Sequence, residues 1–300
     1  MENPTPDDQV SGEPCLPPDL ERTIFELAAL LRTNPILSLM LVARRVKHWL
    51  EPLLYRVIFV SSWWTAGDLH GFRSIPGGVL LSTISTKSQL FFESSVSHIF
   101  LEGGGSGLEL EPSDVETILA ACPRVTNLVF CGFSTGQYRE LFSGFQCLRR
   151  LTIDVGALFA ADTIDFTAPL FRSLTHLEML DSFWGHMPTD IGACLALAPA
   201  LTHFSCVPIS RIAAFHARIR TNARLQCIVL FSTRLAETPV IDDARLVCID
   251  QTNFRSDWLH GAATGEDYWT LAEAFIAAKY AGKVDGSLYF ISDTDQSWRA

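Results

Sequence analysis

Several hallmarks of common functional classes are missing from this 300-residue sequence. It contains no HExxH metalloprotease motif and no CxxC pair. Its glycine run at 103–107 lacks the GxGxxG spacing and the Lys-Ser/Thr ending of a phosphate-binding loop. No apolar run approaches the roughly 18 residues that a membrane-spanning helix requires. We therefore expect no enzyme activity, no cofactor, no bound metal and no membrane partner.

Charge is also scarce, because charged residues make up only 19% of the chain, and the net charge is -10. An acidic chain repels phosphate backbones, so we expect no nucleic-acid partner. The eight cysteines are scattered without zinc-ligand spacing, which favours reduced residues in a cytoplasmic or nuclear protein. Residues 1–15 are polar and proline-rich, which predicts a disordered tail and not a signal peptide.

Hydrophobic residues, at 48% of the chain, are abundant enough for a large buried core, and they recur periodically. In each copy of a short pattern, one hydrophobic residue is followed by others three and five positions later. The copies are Val96-Ile99-Leu101, Val125-Leu128-Phe130, Leu148-Leu151-Ile153, Leu174-Leu177-Leu180 (with Met179 five positions after Leu174), Leu201-Phe204-Cys206, Leu225-Ile228-Leu230 and a shortened Leu246-Ile249. Their first positions are 29, 23, 26, 27, 24 and 21 residues apart, which is the period of leucine-rich repeats.

Helix-like segments lie between these strand-like pieces. They cover 112–121, 135–145, 189–197, 210–220 and 269–280, and a last strand-like piece covers 287–291. Strand and helix in alternation predict a parallel sheet with helices on its outer side. We predict an α/β fold in which residues 96–300 form an irregular leucine-rich-repeat-like solenoid with an aromatic-rich C-terminal cap. Residues 61–95 are a connector or a first repeat.

Residues 16–60 carry a different pattern, with apolar residues at helical spacing in two successive segments. Leu16-Pro17 begins the segment, Ile24 and Leu27 lie in the first predicted helix, and Leu41-Val42-Ala43-Arg44-Arg45 lies in the second. These residues resemble an F-box, and the whole chain resembles a fungal group of F-box-like proteins with an irregular leucine-rich-repeat body. Val46 follows the two arginines, where that family commonly has a tryptophan, and the tryptophan comes at Trp49 instead.

F-box proteins bind a Skp-family adaptor of cullin-RING (SCF-type) ubiquitin ligases and recruit a target protein through their downstream domain. The resemblance implies that the adaptor-binding residues are Leu16, Pro17, Ile24, Leu41 and Val42. The protein would then be a non-enzymatic substrate-recognition adaptor with an unknown target. The alternative is a stand-alone repeat-based binding protein whose F-box-like helices only cap the array.

When the first hydrophobic residue of each copy is counted as position one, the core residues are at positions one, four and six. The residues at positions three and five predict a surface for that target. Side chains alternate along a strand, so these positions should point away from the core and form two ladders. The candidate target-binding residues on the ladders are His98, Asn127, Arg150, Thr152, His176, Glu178 and His203. Three histidines on one ladder also suggest a metal-binding or pH-sensing role. Only His176 and His203 are predicted to be neighbours, and solvated surface histidines are the simpler interpretation.

Overall fold

The structure, a computed structural model, describes residues 16–31, 36–61, 75–104, 110–159, 164–180, 191–207, 212–231, 243–250, 253–292 and 298. The chain divides into two compact units, with the division between Leu54 and Tyr55. The predicted tail, residues 1–15, lies outside the described residues. The predicted first segment ended at residue 60, whereas the structure assigns residues 57–61 to the second unit as the first strand of its sheet.

Three short helices form the first unit. They are α1 (Pro18–Leu30), α2 (Ile36–Met40) and α3 (Arg44–Tyr55). Ala29, Val46 and Leu50 are buried at their centre, with Phe25 and Trp49 packed against them. The sequence pattern predicted one continuous second helical stretch from 37 to 49, but a turn at residues 41–43 separates α2 from α3.

The second unit contains a nine-stranded sheet in which every neighbouring pair of strands is parallel and the strand order follows the chain. The strands are β1 (Val57–Ser61), β2 (His98–Glu102), β3 (Asn127–Cys131), β4 (Arg150–Ile153), β5 (His176–Met179), β6 (His203–Cys206), β7 (Cys227–Phe231), β8 (Leu246–Asp250) and β9 (Phe290–Ser292). Parallel neighbours require a crossover connection, usually helical, between successive strands. The repeated apolar pattern therefore marks β2 to β8 in the predicted order. In the shortened last copy the predicted alignment is wrong, because Leu246 pairs with Ile228 and Ile249 faces the side of the sheet opposite the main core.

Most crossover helices pack on one face of this sheet. They are α4 (Gly77–Thr86), α5 (Gln89–Ser95), α6 (Pro112–Ala121), α7 (Arg139–Ser143), α8 (Val155–Phe159), α9 (Ile191–Leu195) and α10 (Ile212–Ile219), with short 3₁₀ turns at Thr135–Tyr138 and Pro169–Phe171. Alternate strand residues, such as Ile99, Leu128 and Leu151, share one continuous core with these helices. This layer agrees with the predicted parallel sheet and outer helices.

Two further helices, α11 (Phe254–Thr264) and α12 (Tyr268–Tyr280), lie on the opposite face. Trp258 and Leu259 of α11 join Phe59, Phe100 and Val129 of the sheet in one cluster. Tyr268, Trp269 and Phe275 of α12 share another cluster with Cys227 and Val247. The aromatic-rich C-terminal segment was expected to close the end of the array. It instead covers the sheet face that was predicted to be open, which gives three layers.

Candidate functional site

The adaptor-binding residues implied by the F-box resemblance are exposed in the structure. Leu16 is 45% exposed, Ile24 53%, Leu41 86% and Val42 63%, and Pro17 is also exposed at the start of α1. Leu20, Leu27 and Leu31 are exposed as well. Ile24, Leu27 and Leu31 lie four, seven and eleven residues after Leu20, so the four side chains form one stripe along the helix. Leu20 was missed in the sequence, although its spacing from Ile24 was the available signal.

The exposed side chains lie on three helices that specific hydrogen bonds join to one another. The Arg45 guanidinium donates to both Glu21 carboxylate oxygens, from Nε at 2.9 Å and from Nη2 at 2.7 Å, and so joins α3 to α1. The backbone N–H groups of Leu41 and Val42 donate to Ser38 and Leu39, which folds the α2–α3 turn. We call the exposed set Leu16, Leu20, Ile24, Leu27, Leu31, Leu41 and Val42 the apolar surface.

Val46, at the position where the F-box family commonly has tryptophan, is fully buried in the core of the first unit. Trp49 is one α-helical turn further along α3 and packs against the same core. Val46 therefore lies inside this unit, whereas Leu41 and Val42 are exposed.

Both predicted ladders are present, because the residues of each one are paired across neighbouring strands. His98, Asn127, Arg150, His176 and His203 are successive strand partners. The second ladder runs through Phe100, Val129, Thr152, Glu178 and Ser205. Both lie on the face opposite the main core, as the alternation of side chains along a strand predicts.

The expectation that the ladders form an open surface is wrong, because α11 and α12 cover them. Asn127, Thr152, Glu178 and His203 are buried, while His98, Arg150 and His176 are half-buried. Their polar groups need hydrogen-bond partners once water is excluded, and the two helices supply several of these. Direct contact between a target and the buried ladder residues would require the helices to move.

Specific polar contacts join the helices to the ladders. Trp258 donates from Nε1 to the Asn127 side-chain oxygen at 3.3 Å. Arg150 forms an ion pair with Asp267, the residue that caps the start of α12. Tyr268 donates its hydroxyl proton to a Glu178 carboxylate oxygen at 3.1 Å. A missing partner in such a buried network leaves an unsatisfied polar group, so these contacts fix how the helices lie on the sheet.

Glu178 is the most deeply buried carboxyl group of this layer, and Thr152 also donates to it, at 3.0 Å. Burial raises its pKa to about 7, against the lowering effect of the hydrogen bonds from Thr152 and Tyr268. The nearby carboxylates of Asp257 and Asp267 raise the pKa further. Water exclusion disfavours the charged form of a carboxyl group. Glu178 therefore holds its proton to a higher pH than an exposed glutamate does.

His176 and His203 lie side by side on β5 and β6. Their rings are stacked with centroids 4.0 Å apart, and the edge of Trp269 packs against both. Burial, together with the positive charge of Arg150 and the neighbouring His203, lowers the pKa of His176 to about 2. Burial also lowers the pKa of His203, while Glu273 opposes this effect. The Nε2 atom of His203 lies 2.9 Å from a carboxylate oxygen of Glu273.

One sequence motif with a catalytic spacing went unrecognised in the pattern of repeats. Residues 132–136 read GFSTG, which matches the GxSxG spacing of a nucleophile elbow, and they follow strand β3. An elbow holds its serine in a sharp, strained turn, but Ser134 has φ -73° and ψ 90°. The positive φ, 76°, belongs to Gly132 instead. Ser134 therefore lacks the backbone geometry of an activated nucleophile.

Comparison with protein-family models and with curated protein sequences gave no match. Within the described ranges, no helix has both the length and the apolar character needed to cross a membrane. The two features of the chain that bear on function are the apolar surface of the first unit and the covered sheet of the second.

Proposed function

We propose that this chain is a non-enzymatic protein-interaction module, a substrate-recognition adaptor of an SCF-type ubiquitin ligase. In this proposal, residues 16–54 are an F-box-like unit that binds a Skp-family adaptor. The second unit, which contains the nine-stranded sheet and is called the sheet unit below, is an irregular leucine-rich-repeat-like array that binds the target protein. The observation that carries the proposal is the exposed apolar surface of the first unit.

That apolar surface is concentrated in a small part of the chain. Of the exposed large hydrophobic side chains among the described residues, nine lie between Leu16 and Val42 and six lie in all the rest. Clustering of this kind marks a protein-binding site, whereas scattered apolar residues are normal on any surface. Burial of one leucine or isoleucine side chain contributes about 1.5–3 kcal/mol, so a few of them can support specific binding.

The spacing of these residues favours a partner with an apolar groove in which α1 would lie. Leu20, Ile24, Leu27 and Leu31 repeat at intervals of four, three and four along α1, the spacing with which an amphipathic helix lies in a groove. Leu41 and Val42 extend the surface from the α2–α3 turn. The resemblance to the F-box family implies that both residues contact the adaptor.

The ladders were predicted to bind the target. Because α11 and α12 cover them, the outer surface of these two helices is the target-binding surface in this proposal. A cavity of about 770 Å³ lies there, with Asp257, His260, Glu266 and Lys283 among its lining residues. The ladder residues would then position the two helices, and the helices would contact the target. This assignment keeps the sheet as the scaffold and moves the recognition surface outward by one layer.

The test is co-purification of the full chain with a recombinant Skp-family adaptor on a size-exclusion column. The wild-type chain should elute in a complex, and a Leu41→Asp/Val42→Asp variant should elute alone, because carboxylates placed in an apolar interface are desolvated without a partner. Leu90→Asp is the matched control, since Leu90 is 73% exposed in the second unit.

Two outcomes would count against the adaptor proposal. A wild-type chain that never forms the complex would favour the stand-alone binding protein. Equal complex formation by wild type and the Leu41→Asp/Val42→Asp variant would place the interface elsewhere. Circular dichroism of each variant establishes that the change in elution is not a failure to fold.

A further inference from the structure

The stacked histidines of β5 and β6 face a carboxylate from α12. His176 and His203 are strand partners in the parallel register, and Glu273 reaches them from the helix layer. One potential ligand atom from each of the three side chains lies within 4.8 Å of the other two. Glu273 is 51% exposed and can rotate, while the side chain of His203 is only 7% exposed and is fixed by its neighbours.

Two threonine hydroxyls favour the tautomer in which Nδ1 of each histidine carries the proton. Thr175 Oγ1 donates to the carbonyl of Arg149 at 3.1 Å, so it accepts from His176 Nδ1 at 2.8 Å. Thr202 Oγ1 donates to the carbonyl of Thr175 at 3.3 Å and accepts from His203 Nδ1 at 2.8 Å. A neutral imidazole has only one N–H, so both Nε2 atoms are left with a free lone pair.

This arrangement of protons gives His203 and Glu273 two facing acceptor atoms. Nε2 of His203 and the Glu273 carboxylate oxygen are 2.9 Å apart, so in the tautomer with the proton on Nδ1 a further proton or a metal ion must lie between them. We propose that this species is a divalent metal ion of the zinc type, bound by His176, His203 and Glu273. Two histidines and one glutamate are an established zinc ligand set, and a histidine ligand usually donates its other ring N–H to a fixed acceptor.

The dimensions of the cluster suit that ion. Ligand bonds of about 2.0–2.2 Å in a tetrahedral site place ligand atoms about 3.4 Å apart. His203 Nε2 and the Glu273 carboxylate oxygen, at 2.9 Å, would have to separate by about 0.5 Å, a movement that the half-exposed Glu273 can make. The His176 ring, stacked on His203 at an interplanar angle of 13°, would have to turn so that both Nε2 lone pairs point at the ion. The edge of Trp269 holds both imidazole rings, at centroid distances of 5.2 and 5.7 Å. The positive charge of Arg150 lies nearby and would repel the ion, but Arg150 is paired with Asp267.

A metal ion here would join α12 to β5 and β6 and so fasten the second helix layer over the sheet. This role is independent of the adaptor interface, which belongs to the other unit. A ligand that binds only the folded state stabilises it by RT ln(1 + [L]/Kd), so the midpoint of thermal unfolding should rise with the logarithm of the metal concentration once that concentration exceeds Kd. The site would then contribute to the stability of the covered face.

The test is titration of the full-length protein, dialysed against a chelator, with ZnCl₂ in a calorimeter. The expected result is one bound ion per chain, with loss of binding in His203→Gln. We expect Glu273→Gln, which retains the fold because the side chain is half exposed, to weaken binding at least tenfold. Thr202→Val, which removes the partner of His203 Nδ1, should weaken it by about 10- to 100-fold. His260→Gln alters a half-exposed histidine of α11 and should leave affinity unchanged.

Cobalt gives a second readout, because Co²⁺ in the same site would produce visible absorption bands that are lost in His203→Gln. Wild-type protein that binds no zinc at about 100 µM would overturn the proposal and leave a shared proton between His203 and Glu273. Zinc binding that survives in a His176→Gln/His203→Gln variant would also overturn it, since the ion would then lie elsewhere.

Discussion

The carboxyl group of Glu178 offers a quantitative test of how α12 covers the sheet. Burial raises its pKa from 4.5 to about 7. The folded protein therefore holds this proton more tightly than the unfolded chain does. The corresponding contribution to stability is fully present below about pH 4.5 and is lost as the pH rises through about 7. Most carboxylates with folded-state partners show the opposite dependence.

The magnitude follows from the shift. One pKa unit corresponds to about 1.4 kcal/mol, so the full effect is about 3 kcal/mol, of which about 2.5 kcal/mol falls between about pH 5 and about pH 8. Glu178→Gln removes the titration and keeps an oxygen that can accept from Tyr268 and Thr152. We expect the variant to gain about 2.5 kcal/mol of unfolding free energy over the wild type across this range.

Urea unfolding of the two proteins at several pH values measures the difference. Glu140→Gln, which alters an exposed glutamate on α7, is the control and should show a difference from wild type that does not change with pH. If the difference between Glu178→Gln and wild type stays constant within about 0.5 kcal/mol, the carboxyl is not buried under α12 and the covered face is described incorrectly.

Two further predictions test the packing. Phe100 is fully buried, with its ring 4.7 Å from Phe59 and 5.3 Å from Trp258. Phe100→Ala should therefore cost about 3–5 kcal/mol in urea unfolding, and a loss below about 1 kcal/mol would mean that α11 does not pack there. Burial raises the pKa of the Cys122 and Cys248 thiols to about 12. Because the thiolate is the reactive form, both should resist iodoacetamide in the native protein and react after unfolding, as mass spectrometry would show.

The parallel sheet and the helices on its outer side were predictable from local patterns in the sequence. The apolar repeat predicted strands β2 to β8 and their parallel order, and the helix predicted at 112–121 is α6, Pro112–Ala121. These elements depend on periods of two and 3.6 residues within short segments, which a sequence displays directly. The stripe on α1 was visible for the same reason.

The position of α11 and α12 was not predictable from the period of the repeats, because it depends on contacts between residues far apart in the chain. Two signals were nevertheless present. Helix α12 has apolar residues on nearly all sides, including Trp269, Leu271 and Phe275, which indicates a helix buried between layers. Glu178 and Asn127, polar residues among hydrophobic strand neighbours, needed partners that only another element could provide.

The histidine cluster was half predictable. Register alone makes His176 and His203 neighbours, and the ladder analysis predicted that contact. Glu273 lies 70 residues beyond His203 in sequence, and nothing in its local pattern indicates that it returns to the same strands. A ligand set assembled from two layers becomes visible only once the layers are placed.

Hydrogen–deuterium exchange of the full chain, with and without a purified Skp-family adaptor, tests the proposed function most directly. We expect added protection of the backbone in α1 and the α2–α3 turn, which carry Ile24, Leu41 and Val42, and no change in α11 or α12. Slowed exchange confined to the sheet unit, or no change anywhere at saturating adaptor, would contradict the account.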